Sequence, residues 1–303
     1  MRCRHEMWSA NPTSPSGAES IMTSDSTIPT EARFRGCLLG LACGDAVGAT
    51  VEFKARGSFQ PVTDMVGGGP WALAPGQWTD DTSMALCLAE SLIECEGFDP
   101  KDQMQRYVRW YRQGHLSSKG YCFDIGTTTQ AALSRFEVDG NAWAGSTDAR
   151  TAGNGSLMRL APAPMAAWPD CVRAVAWAEA SSRTTHAAPA ALASCRAFAA
   201  ILCAALSGRP RAEVISAAAE MSFDHDGVRA VAQGDWRAKD AGQIRGSGYV
   251  VESLEAALWC FAQTDDYAGA VLAAANLGDD ADTTAAVVGQ VAGAYYGADA
   301  IPA

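Results

Sequence analysis

The chain has 303 residues, 48% of them apolar and only 19% charged, a composition that excludes wholesale disorder and suffices for one large domain or two small ones. Its longest uncharged run, 283–298, is 16 residues, short of the ~20 apolar residues that cross a bilayer, so no membrane span is expected. With 23 basic against 34 acidic residues and a net charge of −11, the chain repels a phosphate backbone, which argues against general nucleic-acid binding.

Residues 1–31 are rich in Ser, Thr, Pro and Gly without periodic apolar spacing, and they read as a flexible N-terminal arm. Arg2, Arg4, His5 and Glu6 stand where a secretory signal would need its apolar region, so a cytoplasmic protein is expected. From Phe34 onward, alanine-rich segments with apolar residues at helical spacing predict helices over about 34–50, 82–96, 101–113, 127–137, 171–182, 187–207, 211–221, 247–263, 266–276 and 283–297. Alternating β patterns are nearly absent. The fold class expected for 32–303 is therefore all-α, a single compact multi-helix domain, with Gly/Pro-rich loops at 67–76, 144–164 and 223–248. Loops that long usually carry function.

Gly36, Gly40, Gly44 and Gly48 fall four apart, as do Gly289, Gly293 and Gly297. Each set makes a stripe without side chains along a helix, where a second backbone can approach closely. Glycine costs ~1 kcal/mol relative to alanine in a helix interior, so these stripes predict two helices deep in the bundle, packed on each other. The ten cysteines contain no C-x-x-C pair and are expected to be small buried apolar residues; with the four histidines isolated too, zinc is disfavoured.

The strongest chemical signal is a pair of acidic clusters at helix starts, Thr79-Asp80-Asp81-Thr82 and Asp279-Asp280-Ala281-Asp282-Thr283-Thr284. Helix capping is the plainer reading, since Asp and Thr accept from the free N–H groups of a first turn. One Asp per helix satisfies that need. Two or three adjacent carboxylates oppose folding unless something positive lies between them. Carboxylates and hydroxyls without His or Cys make an all-oxygen set suited to Mg²⁺, Mn²⁺ or Ca²⁺. The spacing is not that of an EF-hand, which needs a following Gly and a distal Glu.

The segments GCLLGLACGDAVGATVEF (36–53), GQWTDDTSM (76–84), GNGSLMR (153–159), THAAP (185–189) and GDDADTT (278–284), followed by AGAYYG and IP, resemble the ADP-ribosylglycohydrolases, nearest in pattern to the dinitrogenase-reductase-activating type. The resemblance covers about 34–302, and five motifs in the right order make it specific. It implies an all-α domain with two Mg²⁺ or Mn²⁺ ions in a central cleft, acting on ADP-ribosylated protein side chains, arginine above others, with ADP-ribose as product. Thr79, Asp80, Asp81, Asp280, Asp282 and Thr283 match the family's metal ligands. Glu52 matches a glutamate near the metals and the scissile bond, and Asp124 an aspartate facing the ribose; one or other is the implied general acid or base. Asp279 stands where many relatives have glycine, and the resemblance gives it no role.

For the nucleotide, Gly153, Asn154, Gly155 and Ser156 form a loop whose backbone can approach a diphosphate or ribose. His186 is a candidate contact, against the alternative of a cap or a satisfied buried histidine. Tyr249 resembles a position that packs on the adenine, against the alternative of a core tyrosine. The main rival is a binding protein, because some relatives with this fold have lost metal ligands and serve as lens crystallins; the intact acidic clusters argue against it. A further expectation is that the arm at 1–31 docks on an ADP-ribosyltransferase partner, as in an immunity or antitoxin protein.

Overall fold

The structure, a computed structural model, describes residues 30–303. The arm expected at 1–31, and the transferase partner expected for it, therefore fall almost wholly outside the described residues. Twelve α-helices follow in order: α1 Thr30–Gly48, α2 Asp80–Glu94, α3 Pro100–Gln113, α4 Thr127–Asp139, α5 Pro162–Ala167, α6 Cys171–Arg183, α7 Pro189–Leu206, α8 Arg211–Ser216, α9 Asp226–Gln233, α10 Val250–Gln263, α11 Tyr267–Ala275 and α12 Ala281–Tyr296. Among the described residues β pairing is limited to isolated bridges, so the all-α expectation holds.

The boundaries follow local chemistry. α3 starts where Asp99 accepts from the N–H groups of Lys101 and Asp102 ahead of Pro100, and it stops at Gly114 in the left-handed conformation. Two helices were not foreseen. α5 is a single short turn-and-a-half carrying Pro162 and Pro164, residues that read as loop punctuation although proline fits a first helical turn. α9 lies inside the stretch 223–248 that the glycines mark as loop; His225 caps it and Gly234 ends it. The helix expected over 211–221 stops at Ser216.

α12 occupies the centre of the bundle and is buried from Ala281 to Ala294. α1 packs antiparallel against it in a regular register. A Cβ built at Gly36, Gly40, Gly44 or Gly48 would collide with the carbonyl oxygen of Gly293, Gly289, Ala285 or Ala281 respectively. Each step of four residues along α1 is matched by a step of four backwards along α12, so backbone touches backbone over four turns. The stripe on α12 is thus completed by Ala281 and Ala285, while Gly297 lies past the helix and forms its C-cap. Tyr267 of α11 seals the contact by donating its hydroxyl to the Gly40 carbonyl at 2.8 Å, and buried Arg33 donates to the last free carbonyls of α12, Ala294 at 3.2 Å and Tyr295 at 2.8 Å.

By length and composition alone α7 could cross a membrane, but 72% of it is buried inside the domain. It carries Arg196 and packs Phe198, Ile201 and Leu202 into the main core, as a core helix of a folded domain does. Among the described cysteines, Cys37, Cys87, Cys195, Cys203 and Cys260 are buried as expected, but Cys95 and Cys171 are exposed at helix ends.

Because the clash at the α1–α12 contact is with backbone, it cannot be relieved by a rotamer change. Gly40→Ala and Gly289→Ala are each expected to lower stability by about 3 kcal/mol or more in urea denaturation, beyond the usual cost of overpacking. Gly242→Ala, with open space around it, should stay within about 0.5 kcal/mol of the parent.

Candidate active site

The α1–α12 register sets the C-terminal end of α1 beside the N-terminus of α12, and α2 starts at the same point. Asp45, fully buried on α1, joins them. Its carboxylate accepts from the N–H of Thr79 at 2.9 Å, the N–H of Thr82 at 3.1 Å, and the hydroxyls of Thr79 at 2.9 Å and Thr82 at 2.6 Å. Asp45 is therefore the cap of α2, delivered from another helix. It was not among the sequence candidates; its signal was an aspartate in the last turn of a glycine-striped helix, where packing alone has no use for a charge.

That arrangement decides the capping question. The side chain of Thr79 makes no cap bond to its own helix, and neither does that of Asp280 at the start of α12. Asp80, Asp81 and Asp282 are thus free of the capping role. Thr79, Asp81, Asp282 and Thr283 meet in a buried group: Thr79 Oγ1 lies 3.3 Å from Asp81 Oδ2 and 3.4 Å from Asp282 Oδ2, and Thr283 Oγ1 is 3.4 Å from Asp81 Oδ2. Asp81 Oδ1 and Asp282 Oδ1 are buried without a hydrogen-bond partner, as is Asp124 Oδ2. Such oxygens are rare in folded proteins unless another group satisfies them. Carboxylate oxygens of Glu52, Asp124 and Asp282 also lie within 4.8 Å of one another, a grouping able to hold a metal ion.

Glu52, Asp124, Asp282 and Thr283 form one wall of a cleft of about 670 Å³, within the range of small-molecule sites. Six carboxylates line it, Glu52, Asp80, Asp124, Asp279, Asp280 and Asp282, and among the described residues no Lys or Arg does. Burial pushes Glu52 up to about 7, against the opposing N–H bond from Trp71, and pushes Asp124 up to about 11 with the help of Asp80 and Glu52. Burial and mutual repulsion raise Asp80, Asp81 and Asp282 well above the carboxylate range. Burial also lifts Asp45 to about 6. Without a cation, these groups favour holding protons.

The opposite wall is the turn Gly153–Gly155 and His186. Asn154 donates its side-chain amide to Asp280 Oδ2 at 2.7 Å, tying the two walls together. Gly155 is required, since a Cβ there would stand 2.8 Å from the His186 ring. His186 is buried and contacts the Thr185 hydroxyl at 2.8 Å through Nδ1; burial, then the nearby Arg159 charge, lowers it to about 3, so it is neutral. Ser156 does not face the cleft: it is buried and receives the Ser182 hydroxyl at 2.8 Å. Tyr249, 39% exposed, stands outside the lining with its backbone bridged to Gly153. Thr79 and Asp81 lie beneath the cleft floor.

An all-helical bundle with paired acidic helix N-termini facing a glycine turn across one cleft defines a glycosidic hydrolase of the ADP-ribosylglycohydrolase family, and the chain belongs to that family: the ADP-ribosylglycohydrolase family model matches residues 26–303. The chain is 46% identical over 268 residues to the ADP-ribosylarginine hydrolase Tri1 of Serratia proteamaculans, covering 88% of this chain and 72% of that protein. It is 31% identical over 274 residues to the ADP-ribosyl-[dinitrogen reductase] glycohydrolase of Rhodospirillum rubrum, covering 89% and 87%. A solved structure of an ADP-ribosylglycohydrolase-related protein complex superposes with a TM-score of 0.80 at 44% identity over 90% of each chain.

The raised carboxylates carry a pH signature. In the presence of a chelator the folded state holds protons on Asp45 and Glu52, up to about 6 and 7, where the unfolded chain has released them near pH 4. The native state binds more protons in that window, so stability falls as pH rises through it. Urea midpoints in EDTA should be higher at pH 5 than at pH 7.5. A midpoint that rises from pH 5 to 7.5 would contradict the burial of these groups.

Proposed function

We propose that the chain hydrolyses the glycosidic bond between ADP-ribose and arginine in modified proteins, releasing ADP-ribose, with two divalent cations, Mg²⁺ or Mn²⁺, held by Thr79, Asp80, Asp81, Asp280, Asp282 and Thr283. The observation that carries this reading is the group of buried carboxylate oxygens without partners, Asp81 Oδ1, Asp282 Oδ1 and Asp124 Oδ2, in and beneath a cleft lined, among the described residues, by six carboxylates and no basic side chain. Oxygen donors alone suit hard cations. The arginine preference rests on likeness to proteins named for arginine and dinitrogen-reductase substrates. A cytoplasmic setting suits such substrates.

When bound, the cations polarise the ribose hydroxyls and lower the pKa of bound water. The chain's own groups do the rest. Gly153, Asn154, Gly155 and His186 hold the ADP-ribose along the wall facing the carboxylates. Ser156 braces that turn from behind, and exposed Tyr249 offers a ring for the adenine to stack on. Glu52 and Asp124 form the proton-transfer pair. A water oxygen bonds to the anomeric carbon as the bond to the guanidino nitrogen breaks; one carboxylate takes a proton from the water and one carboxyl delivers a proton to the leaving nitrogen.

Peptides carrying ADP-ribose on arginine or on serine, incubated with Mg²⁺, Mn²⁺ or EDTA, test this directly. ADP-ribose should be released from the arginine peptide with either cation, at least 10-fold less from the serine peptide, and not in EDTA. Saturating cation should also raise the melting temperature over EDTA, since a ligand at 100 times its dissociation constant adds ~2.7 kcal/mol. Asp282→Asn should abolish turnover while circular dichroism stays unchanged, because this side chain caps nothing; near-normal turnover would remove it from the metal set. Glu52→Gln should cut turnover roughly 10²–10⁴-fold and keep ADP-ribose binding by calorimetry.

A further inference from the structure

The cleft accounts for neither Trp71 nor the glycine-rich loop that carries it. Gly68 and Leu73 pair in both directions, Gly68 N–H to the Leu73 carbonyl at 2.8 Å and Leu73 N–H to the Gly68 carbonyl at 2.9 Å. This closes a tight loop with Trp71 near its tip. Gly69, in the left-handed conformation, presses directly on the Ala49 carbonyl, where a Cβ would collide. The loop is thereby fixed to the end of α1, three residues before Glu52.

From there Trp71 makes three contacts. Its indole N–H donates to Glu52 Oε2 at 2.9 Å. Its carbonyl accepts from Lys119 Nζ at 2.7 Å. Its ring lies 5.7 Å from that of Phe123, the residue before Asp124. Ala49, Leu73 and Phe123 form a small separate core under this ring. That core gathers the loop and the segments preceding the two cleft carboxylates, and Trp71 spans them. Both segments need holding: Phe53, beside Glu52, and Asp124 itself sit at φ of 62° and 61°, a left-handed region that costs such residues energy. The indole N–H takes its partner from Glu52 itself, so the ring and the carboxylate are held in one geometry.

We propose that Trp71 is a positioning residue: its N–H fixes the Glu52 carboxylate, and its ring and carbonyl fix the 119–124 segment, so that Glu52 and Asp124 keep the separation the proton transfers require. The inference rests on the roles proposed for those two carboxylates.

The test replaces Trp71 with 3-benzothienylalanine by amber suppression, which puts sulfur where the indole N–H was and keeps the ring. Turnover of the arginine-linked ADP-ribosyl peptide should fall roughly 10- to 100-fold, the worth of one hydrogen bond to a charged group, with KM, ADP-ribose affinity and melting temperature unchanged. Trp71→Phe should show the same split, and restoring tryptophan should restore kcat. Unaltered kcat would overturn the proposal, and so would a loss matched by lower melting temperature or weaker ADP-ribose binding, which would make Trp71 a packing residue. Glu52→Gln, run beside it, separates the two levels: normal turnover in that variant would overturn the role of Glu52 itself, whereas its loss together with a fully active isostere would overturn the positioning role alone.

Discussion

The backbone contact between α1 and α12 is the constraint on which the rest of the molecule depends. Side chains normally hold helix axes 8–10 Å apart; here glycines on α1 and small residues on α12 let the carbonyls of one helix touch the Cα atoms of the other. The contact is antiparallel, so it brings the end of the first described helix to the start of the last one. Glu52 comes within 4.8 Å of Asp282, and Thr79 and Asp81 meet Asp282 and Thr283, although more than 200 residues separate the members of each pair in sequence. A site made this way cannot form until both ends of the domain have folded. It is also exacting, because a methyl group anywhere along the stripe pushes apart the two helices that place the carboxylates.

The same contact creates an electrostatic problem and part of its solution. Buried carboxylates are costly, and several within one cleft more so. The N-termini of α2 and α12 both open onto the acidic group, and their N–H groups favour negative charge there. Asp45 is the member whose needs are met in full, with four donors from Thr79 and Thr82. By supplying the cap of α2 from α1, it leaves Asp80 and Asp81 unoccupied. Capping and the proposed metal holding thereby fall to different residues, which a reading of one helix at a time presents as rivals for the same aspartates.

How much of this was legible in the sequence follows from which interactions are local. The helices with clear periodicity and the two glycine stripes were readable, because spacing along one element fixes the face it presents. The partners of the first stripe were only half readable: Ala281 and Ala285 do the work of glycines, and alanine is too common in this chain to stand out. α9 was hidden by flanking glycines, and α5 by its prolines. Within the site, the acidic clusters announced themselves by excess charge. Asp45 did not, since its role is to join two helices that sequence alone does not place together. Ser156 shows the opposite error: it belongs to the same motif as the cleft-lining Gly155, but the turn points its hydroxyl inward to Ser182.

The proposed function asks one cleft to take both cations and a dianionic nucleotide. A lysine or arginine reaching into it would attract the diphosphate, but it would also pair with the carboxylates and displace the metal. Arg159 avoids that conflict by position. It is fully buried behind the Gly153–Gly155 turn, with its guanidinium 4.6 Å over the Tyr107 ring, donating to the Gly155 carbonyl at 2.9 Å and the Thr185 hydroxyl at 2.7 Å. Its partners are neutral, so its charge is not cancelled locally, yet the side chain cannot swing into the cleft. The turn and the neutral His186 stand between it and the carboxylates. The wall proposed to take the nucleotide is thus biased positive by a charge held in place, while the facing wall stays acidic, and under the proposed function that difference would orient the ligand.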